Sequence, residues 1–178
     1  MAAKHVLRYL RGTIGLGLKY RNVEIKLEGY TDSDWAGCSL NRKSTTGCCF
    51  SLGSAMVSWF NRKQPTIALS STEAEYMSGA SEAVWLRKIL FGLFGKKLDS
   101  TVIHCDNQSC IKLSANPVFH NRSKHIKTLY HYIRDMVDKN VIKLIYVNAN
   151  DQNCDIFTKP LARVKIEYFR SKLGMTNM

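Results

Sequence analysis

The spacing of hydrophobic and polar positions changes period along this chain. Val6, Leu7 and Leu10 recur at helical spacing, with Arg8 and Arg11 opposite, so residues 2–13 are predicted to form a short amphipathic helix. Compact apolar runs then predict strands over 16–20 and 23–31. Two further strands, over 47–52 and 55–60, are joined at Gly53-Ser54, a hairpin signal. The period becomes helical again from 70 to 94, where Met77, Val84, Trp85, Ile89, Leu90 and Leu93 mark the longest predicted helix. A strand over 101–105 follows, then a short helix over 107–113 stopped by Asn116-Pro117. Ile126, Leu129, Tyr130, Ile133 and Met136 form the inner face of a helix over 125–139. A strand over 141–147 precedes a mostly helical remainder. This order predicts a mixed α/β fold in which an antiparallel meander feeds a parallel part. Parallel strands present functional groups at their carboxyl ends. Trp35, Trp59 and Trp85 are predicted as core residues.

Composition narrows this picture. The 178 residues, 45% of them apolar, suffice for one domain with a substantial core. Only Pro65, Pro117 and Pro160 occur and no Gly/Ser-rich run is present, so no internal linker is evident. Twenty-six Lys and Arg against fourteen acids give a net charge of +12, which favours a polyanionic partner such as nucleic acid. Cys38, Cys48, Cys49, Cys105, Cys110 and Cys154 show no CxxC pair and no zinc-ligand spacing. They are predicted to be reduced, small apolar residues, with Cys48 and Cys49 on opposite faces of one strand. The opening Met-Ala-Ala-Lys-His lacks the apolar core of a secretory signal. No apolar run approaches the roughly 20 residues of a membrane span. A helix that opens the chain without a cap suggests a segment of a longer protein.

Candidate chemistry rests on acids at element boundaries. Asp32 follows the strand over 23–31, and Asp106 stands between the strand over 101–105 and a helix. Glu75 lies in the first turns of the long helix and Asp155 near the start of the last helical region. Each also has a structural reading: Asp106 as an N-cap, Asp32 as a turn residue, Glu75 and Asp155 as first-turn acids that complement helix dipoles. Brought together, such carboxylates would repel one another, and a hard divalent cation is the usual remedy. Ser70-Ser71-Thr72-Glu73 fits a capping box, which gives Glu73 a structural role, although Thr72 and Glu75 share that spacing. Asp34 is a second acid or a turn cap near Asp32, and Asp151 is a natural N-cap for the helix that carries Asp155.

The strings YTDSDWAG (30–37), STTGCCFSLG (44–53), VSWFNRKQPTIALSSTEAEY (57–76), HCDNQSCIKL (104–113), HNRSKHIKTLYHYIRD (120–135) and CDIFTKPL (154–161) together resemble the RNase H domain of Ty1/copia-type LTR retrotransposon Pol polyproteins. AAKHVLRYLRGT (2–13) resembles the segment that joins reverse transcriptase to RNase H, and YFRSKLGM (168–175) the polyprotein tail. The resemblance implies residues 1–22 as a remnant of the connection, 23–161 as an RNase H-like domain and 162–178 as a helical tail. It implies an RNase H-like α/β fold: a five-stranded mixed sheet, three antiparallel strands then parallel strands, flanked by helices. The implied activity is hydrolysis of the RNA strand of RNA–DNA hybrids by a two-metal-ion mechanism, with Mg²⁺, or Mn²⁺ in its place, two ions per site. Position by position, Asp32, Glu75, Asp106 and Asp155 become the catalytic and metal-holding acids. Asp32 would bridge both ions, Asp155 would help hold the one that activates water, and Glu75 and Asp106 the one at the leaving oxygen. The implied partners are the RNA–DNA hybrid and the polymerase region of the parent polyprotein. The implied location is cytoplasmic, in virus-like particles, extending to the nucleus and not secreted. The oligomeric state stays open.

Two departures from the wider RNase H pattern stand out. Many such enzymes carry a histidine in the loop before the last acid, yet residues 147–154 contain none. Asn or Gln in that loop could orient water instead, while His125 and His131 read as packed helix residues. Lys127 stands where the family more often has an acid. Basic clusters at 41–43, 62–63, 96–97 and Arg122/Lys124/Lys127 offer phosphate contacts, with Ser33, Asn107, Gln108, Arg122 and Lys124 as candidate substrate-binding residues. The competing reading is a domesticated RNase H-like domain, catalytically weak or inactive, that binds nucleic acid or a protein.

Overall fold

The computed structural model describes residues 2–35, 40, 42–64, 79–95, 97–115 and 127–178, without the side chains of residues 113, 115 and 127–131. The central sheet is built from β2 (Leu27–Asp34), β3 (Thr45–Leu52), β4 (Ala55–Lys63), β5 (Thr101–Cys105) and β6 (Ile142–Tyr146), in the order β4-β3-β2-β5-β6. β4, β3 and β2 are antiparallel, whereas β2, β5 and β6 run parallel. This is the five-stranded mixed sheet the family strings imply. Gly53 makes the β3–β4 turn at φ 65°, a left-handed conformation that glycine adopts without steric cost.

Helices flank the sheet as α2 (Ala80–Phe94), α3 (Gln108–Ala115), α4 (Lys127–Asp138), α5 (Asp155–Thr158) and α6 (Arg163–Lys172), whereas α1 (Ala2–Thr13) buries none of its residues. One apolar cluster joins Leu27, Cys48, Phe50 and Ile103 of the sheet to Ala83, Leu86 and Leu90 of α2 and Ile133 of α4. A second, smaller cluster groups Cys49, Met56, Cys154 and Leu173. Strand alternation therefore divides Cys48 and Cys49 between two cores, as their adjacency requires. All five described cysteines are buried. Among the described residues no helix is long and apolar enough to cross a membrane.

Several expectations change. β2 begins at Leu27 and continues through Asp34, because β3 supplies partners from Leu52, opposite Leu27, to Thr45, opposite Asp34. Val23 and Ile25 lie ahead of that ladder and stay half exposed. The chain does not finish in helix: β7 (Met175–Asn177) pairs antiparallel with β1 (Leu16–Leu18). Trp35, Trp59 and Trp85 are 48%, 53% and 54% exposed, so they are not core residues. Trp59 sits on β4, an edge strand of the sheet, and Trp85 falls on the face of α2 away from Ala83, Leu86 and Leu90. The predicted helix over 70–94 is described only as α2, from Ala80, and its proposed Ser70 cap lies outside the described residues.

A carboxylate site at the ends of parallel strands

Register brings the first two acids together. Thr31 pairs with Cys105 across the parallel β2–β5 ladder, so the residue that follows each, Asp32 and Asp106, stands at the same level of the sheet. Asp106 does not cap the following helix. The Asn107 side chain does so, its Oδ1 accepting from Cys110 N at 3.1 Å. That leaves the Asp106 carboxylate for the site, and its buried Oδ1 has no hydrogen-bond partner.

The third acid arrives from the loop and short helix after β6. Asn148 caps the turn Ala149–Asp151 by accepting from Asn150 N at 2.9 Å. Gln152 is fully buried, and its Nε2 donates to Thr31 O at 2.9 Å, which fastens the loop to β2 one residue before Asp32. The Cys154 thiol donates to Tyr30 O at 3.0 Å and lies 3.3 Å from Cys49 Sγ. Burial and the Cys49 sulfur push the Cys154 thiol well up, which suits a packing residue rather than a nucleophile. Asn61 Nδ2 donates to Phe157 O and Thr158 Oγ1 to Asp32 Oδ2. Gly47, opposite Asp32 in β3, leaves room for α5: a Cβ there would lie 2.6 Å from Thr158 Cγ2 and 3.3 Å from Cys154 O.

Asp32, Asp106 and Asp155 consequently each offer a carboxylate oxygen within 4.8 Å of the others. Asp32 is 2% and Asp155 4% exposed. The Lys159 ammonium lies between them, 3.2 Å from Asp32 Oδ1 and 2.7 Å from Asp155 Oδ1. Burial alone would lower its pKa. The hydrogen bond to Asp155 and the charges of both acids outweigh that and raise it. The Asp106 carboxyl is held above its ordinary range, first by burial and then by the Asp32 charge, with Lys159 in partial opposition. Hard oxygen donors around an unpartnered buried carboxylate oxygen suit Mg²⁺ or Mn²⁺, so the donor set fits a divalent cation.

The structure thus unites Asp32, Asp106 and Asp155. Glu75 and its rival Glu73 lie outside the described residues, as do Arg122, Lys124 and His125. The side chains of Lys127 and His131 also lie outside them. Ser33 is buried and donates to Thr45 O at 3.4 Å, while Asn107 is engaged as a cap and Gln108 is exposed at the start of α3. The Gln152 amide is spent on the backbone of Thr31 and Cys154 and does not face water. Asp151 is not the cap of α5, which Cys154 precedes without a side-chain bond. It accepts from the Tyr168 hydroxyl at 2.7 Å instead. Asp34 is not among the clustered acids. Sequence reasoning passed over Lys159 and Thr158. The available signal was the i,i+4 spacing of Asp155 and Lys159, the favourable order for an acid–base pair on a helix.

No model of a known protein family matches the chain. It is 42% identical over 179 residues to the retrovirus-related Pol polyprotein from transposon TNT 1-94 of Nicotiana tabacum, covering 98% of this chain and 13% of that protein. A second relative, the retrovirus-related Pol polyprotein from transposon RE1 of Arabidopsis thaliana, is 42% identical over 182 residues, covering 99% of this chain and 12% of that protein. The chain therefore spans about an eighth of the length of these curated relatives. Among solved structures, LC11-RNase H1, isolated from compost by a metagenomic approach, superposes with a TM-score of 0.56 at 12% identity over 75% of this chain and 93% of that one. The same protein in complex with an RNA/DNA hybrid gives a TM-score of 0.52, covering 74% of this chain and 93% of that one. At such identity the likeness is one of fold. Being 42% identical to these polyproteins over nearly the whole of its own length, on a sheet of this topology, the chain belongs to the Ty1/copia-type retrotransposon Pol family as a segment with the ribonuclease H fold.

Proposed function

We propose that this chain is a divalent-cation-dependent ribonuclease H, hydrolysing the RNA strand of RNA–DNA hybrids with two Mg²⁺ ions, or Mn²⁺ in their place. The observation that carries the reading is the meeting of Asp32, Asp106 and Asp155 around a buried, unpartnered Asp106 oxygen. The Pol relatives and the hybrid-bound ribonuclease H1 of the same fold support the substrate class. Glu75 is proposed as the fourth acid, on the strength of its SSTEAEY frame.

A divalent cation held by these acids supplies charge neutralisation at the phosphate and lowers the pKa of the water it holds. The protein's own part is to hold the acids in place and ionised. Asp32 is fixed by the β2–β3 ladder and by the Thr158 hydroxyl, and Asp155 by the anchored α5. Asp106 must lose its proton to serve as a ligand, against both burial and the Asp32 charge. Gln108, exposed one residue beyond the Asn107 cap, is proposed as a contact to the hybrid, and Ser33, Asn107, Arg122 and Lys124 as weaker candidates. The polymerase region of the parent polyprotein is the proposed protein partner.

Cleavage of a labelled RNA–DNA hybrid in Mg²⁺ or Mn²⁺ tests this. Asp32→Asn is expected to abolish cutting, Glu75→Gln to do nearly the same, and Glu73→Gln to leave most of it. Hybrid binding without cutting by the unaltered chain would overturn the enzyme and favour a nucleic-acid-binding domain. Loss in Glu73→Gln but not in Glu75→Gln would reassign the glutamate.

A further inference from the structure

Two carboxylates almost wholly out of water cannot stay ionised together without a counter-charge. Here that charge belongs to the chain. Lys159 Nζ contacts Oδ1 of both Asp32 and Asp155, and those two side chains are 2% and 5% exposed. The other Asp32 oxygen accepts from Thr158, so the ammonium holds the remaining Asp32 oxygen that a cation would need. Asp106 Oδ1 stands ready, while Asp32 Oδ1 and Asp155 Oδ1 are occupied.

We propose that Lys159 is the resident counter-ion of this cluster: it neutralises Asp32 and Asp155 in the metal-free protein and swings out when a divalent cation binds. The inference rests on the reading that these acids hold a cation. Local structure allows the exchange. The Lys159 side chain is 39% exposed although the acids are buried, so its stem already reaches solvent. Its backbone N–H is bound to Asp155 O at 2.9 Å, and its backbone is extended at φ −125°, ψ 144°, so only side-chain torsions need to change. Lysine suits such an exchange better than arginine, because a compact ammonium is strongly hydrated and binds as a point charge rather than as a rigid fork. The sheet can then form around its buried acids before any cation arrives, and cation affinity is set by competition with a group of the chain itself.

Calorimetric titration of the full chain with Mn²⁺ tests this, comparing the unaltered protein, Lys159→Met and Lys159→Arg. Lys159→Met is expected to bind Mn²⁺ at least tenfold more tightly. It should also melt lower in chelator, with the difference closed by added Mn²⁺. Lys159→Arg should bind no more tightly than the unaltered protein. If the unaltered protein binds Mn²⁺ and Lys159→Met binds no more tightly, the counter-ion proposal falls and the cation site stands. If neither binds, both fall. Should Lys159→Met fail to fold, acetylation of Lys159 in the unaltered protein by an N-hydroxysuccinimide ester, followed by peptide mass spectrometry, decides. Saturating Mg²⁺ is expected to speed it severalfold, and an unchanged rate overturns the proposal.

Discussion

Of the three clustered acids, Asp32 and Asp155 share the Lys159 ammonium, whereas Asp106 keeps a buried oxygen with no partner. Its raised pKa has a defined sign for stability. A carboxyl that holds its proton more tightly when folded contributes fully below its unfolded pKa, and that contribution is lost as pH rises through the folded pKa. Above its folded pKa the ionised Asp106 therefore works against folding unless a cation compensates. Asp106→Asn is expected to raise the melting temperature of the chelator-treated protein at pH 7, with the gap narrowing as pH falls below the folded pKa. The same substitution should remove hybrid cleavage. A lower melting temperature in chelator would contradict the assignment.

At the scale of the element, α5 is the vulnerable part. Four residues are too few to form a helix alone, since nucleation fixes several torsions for one hydrogen bond. Its position comes from anchors outside itself: Gln152 on Thr31, Cys154 on Tyr30, Asn61 on Phe157 and Thr158 on Asp32. Gly47 is the floor on which it rests. Gly47→Ala introduces a methyl group 2.6 Å from Thr158 Cγ2 and 3.3 Å from both Phe157 Cβ and Cys154 O. Overpacking of this kind costs about 1–3 kcal/mol. Urea unfolding should show that loss, and cleavage should fall further than stability alone requires, because the methyl group displaces Asp155 and Lys159 together. Unaltered cleavage in Gly47→Ala would mean that α5 yields without disturbing the acids.

Over the whole molecule, β1 and the C-terminal segment are tied to one another and to the layer beneath the site. β1 pairs with β7, Lys19 N donates to Gly174 O at 3.0 Å, and Met56 N to Leu173 O at 3.2 Å. Leu173 packs with Cys49, Met56 and Cys154, and Phe169 of α6 is fully buried. Residues 162–178 thus help to support the loop that carries Asp155. Phe169→Ala is expected to cost about 3–5 kcal/mol, read as a shifted denaturation midpoint. A loss below about 1 kcal/mol would show that α6 is separable from the sheet.

The sequence alone determined the order of strands and helices over most of the chain, because apolar periodicity records which faces must be buried. It also determined the hairpin at Gly53 and the opposed placement of Cys48 and Cys49, both consequences of local backbone geometry. The family strings singled out Asp32, Asp106 and Asp155. Their meeting belongs to the tertiary structure: the register Thr31↔Cys105 levels the first two, and side-chain bonds from a distant loop deliver the third. The extent of β2 and the exposure of Trp35, Trp59 and Trp85 were likewise decided by which strand or helix faces each residue, and hydrophobicity does not encode that. Lys159 shows the difference most clearly. Its pairing with Asp155, four residues away, can be read from the chain, whereas its contact with Asp32, 127 residues away, exists only once the sheet has formed.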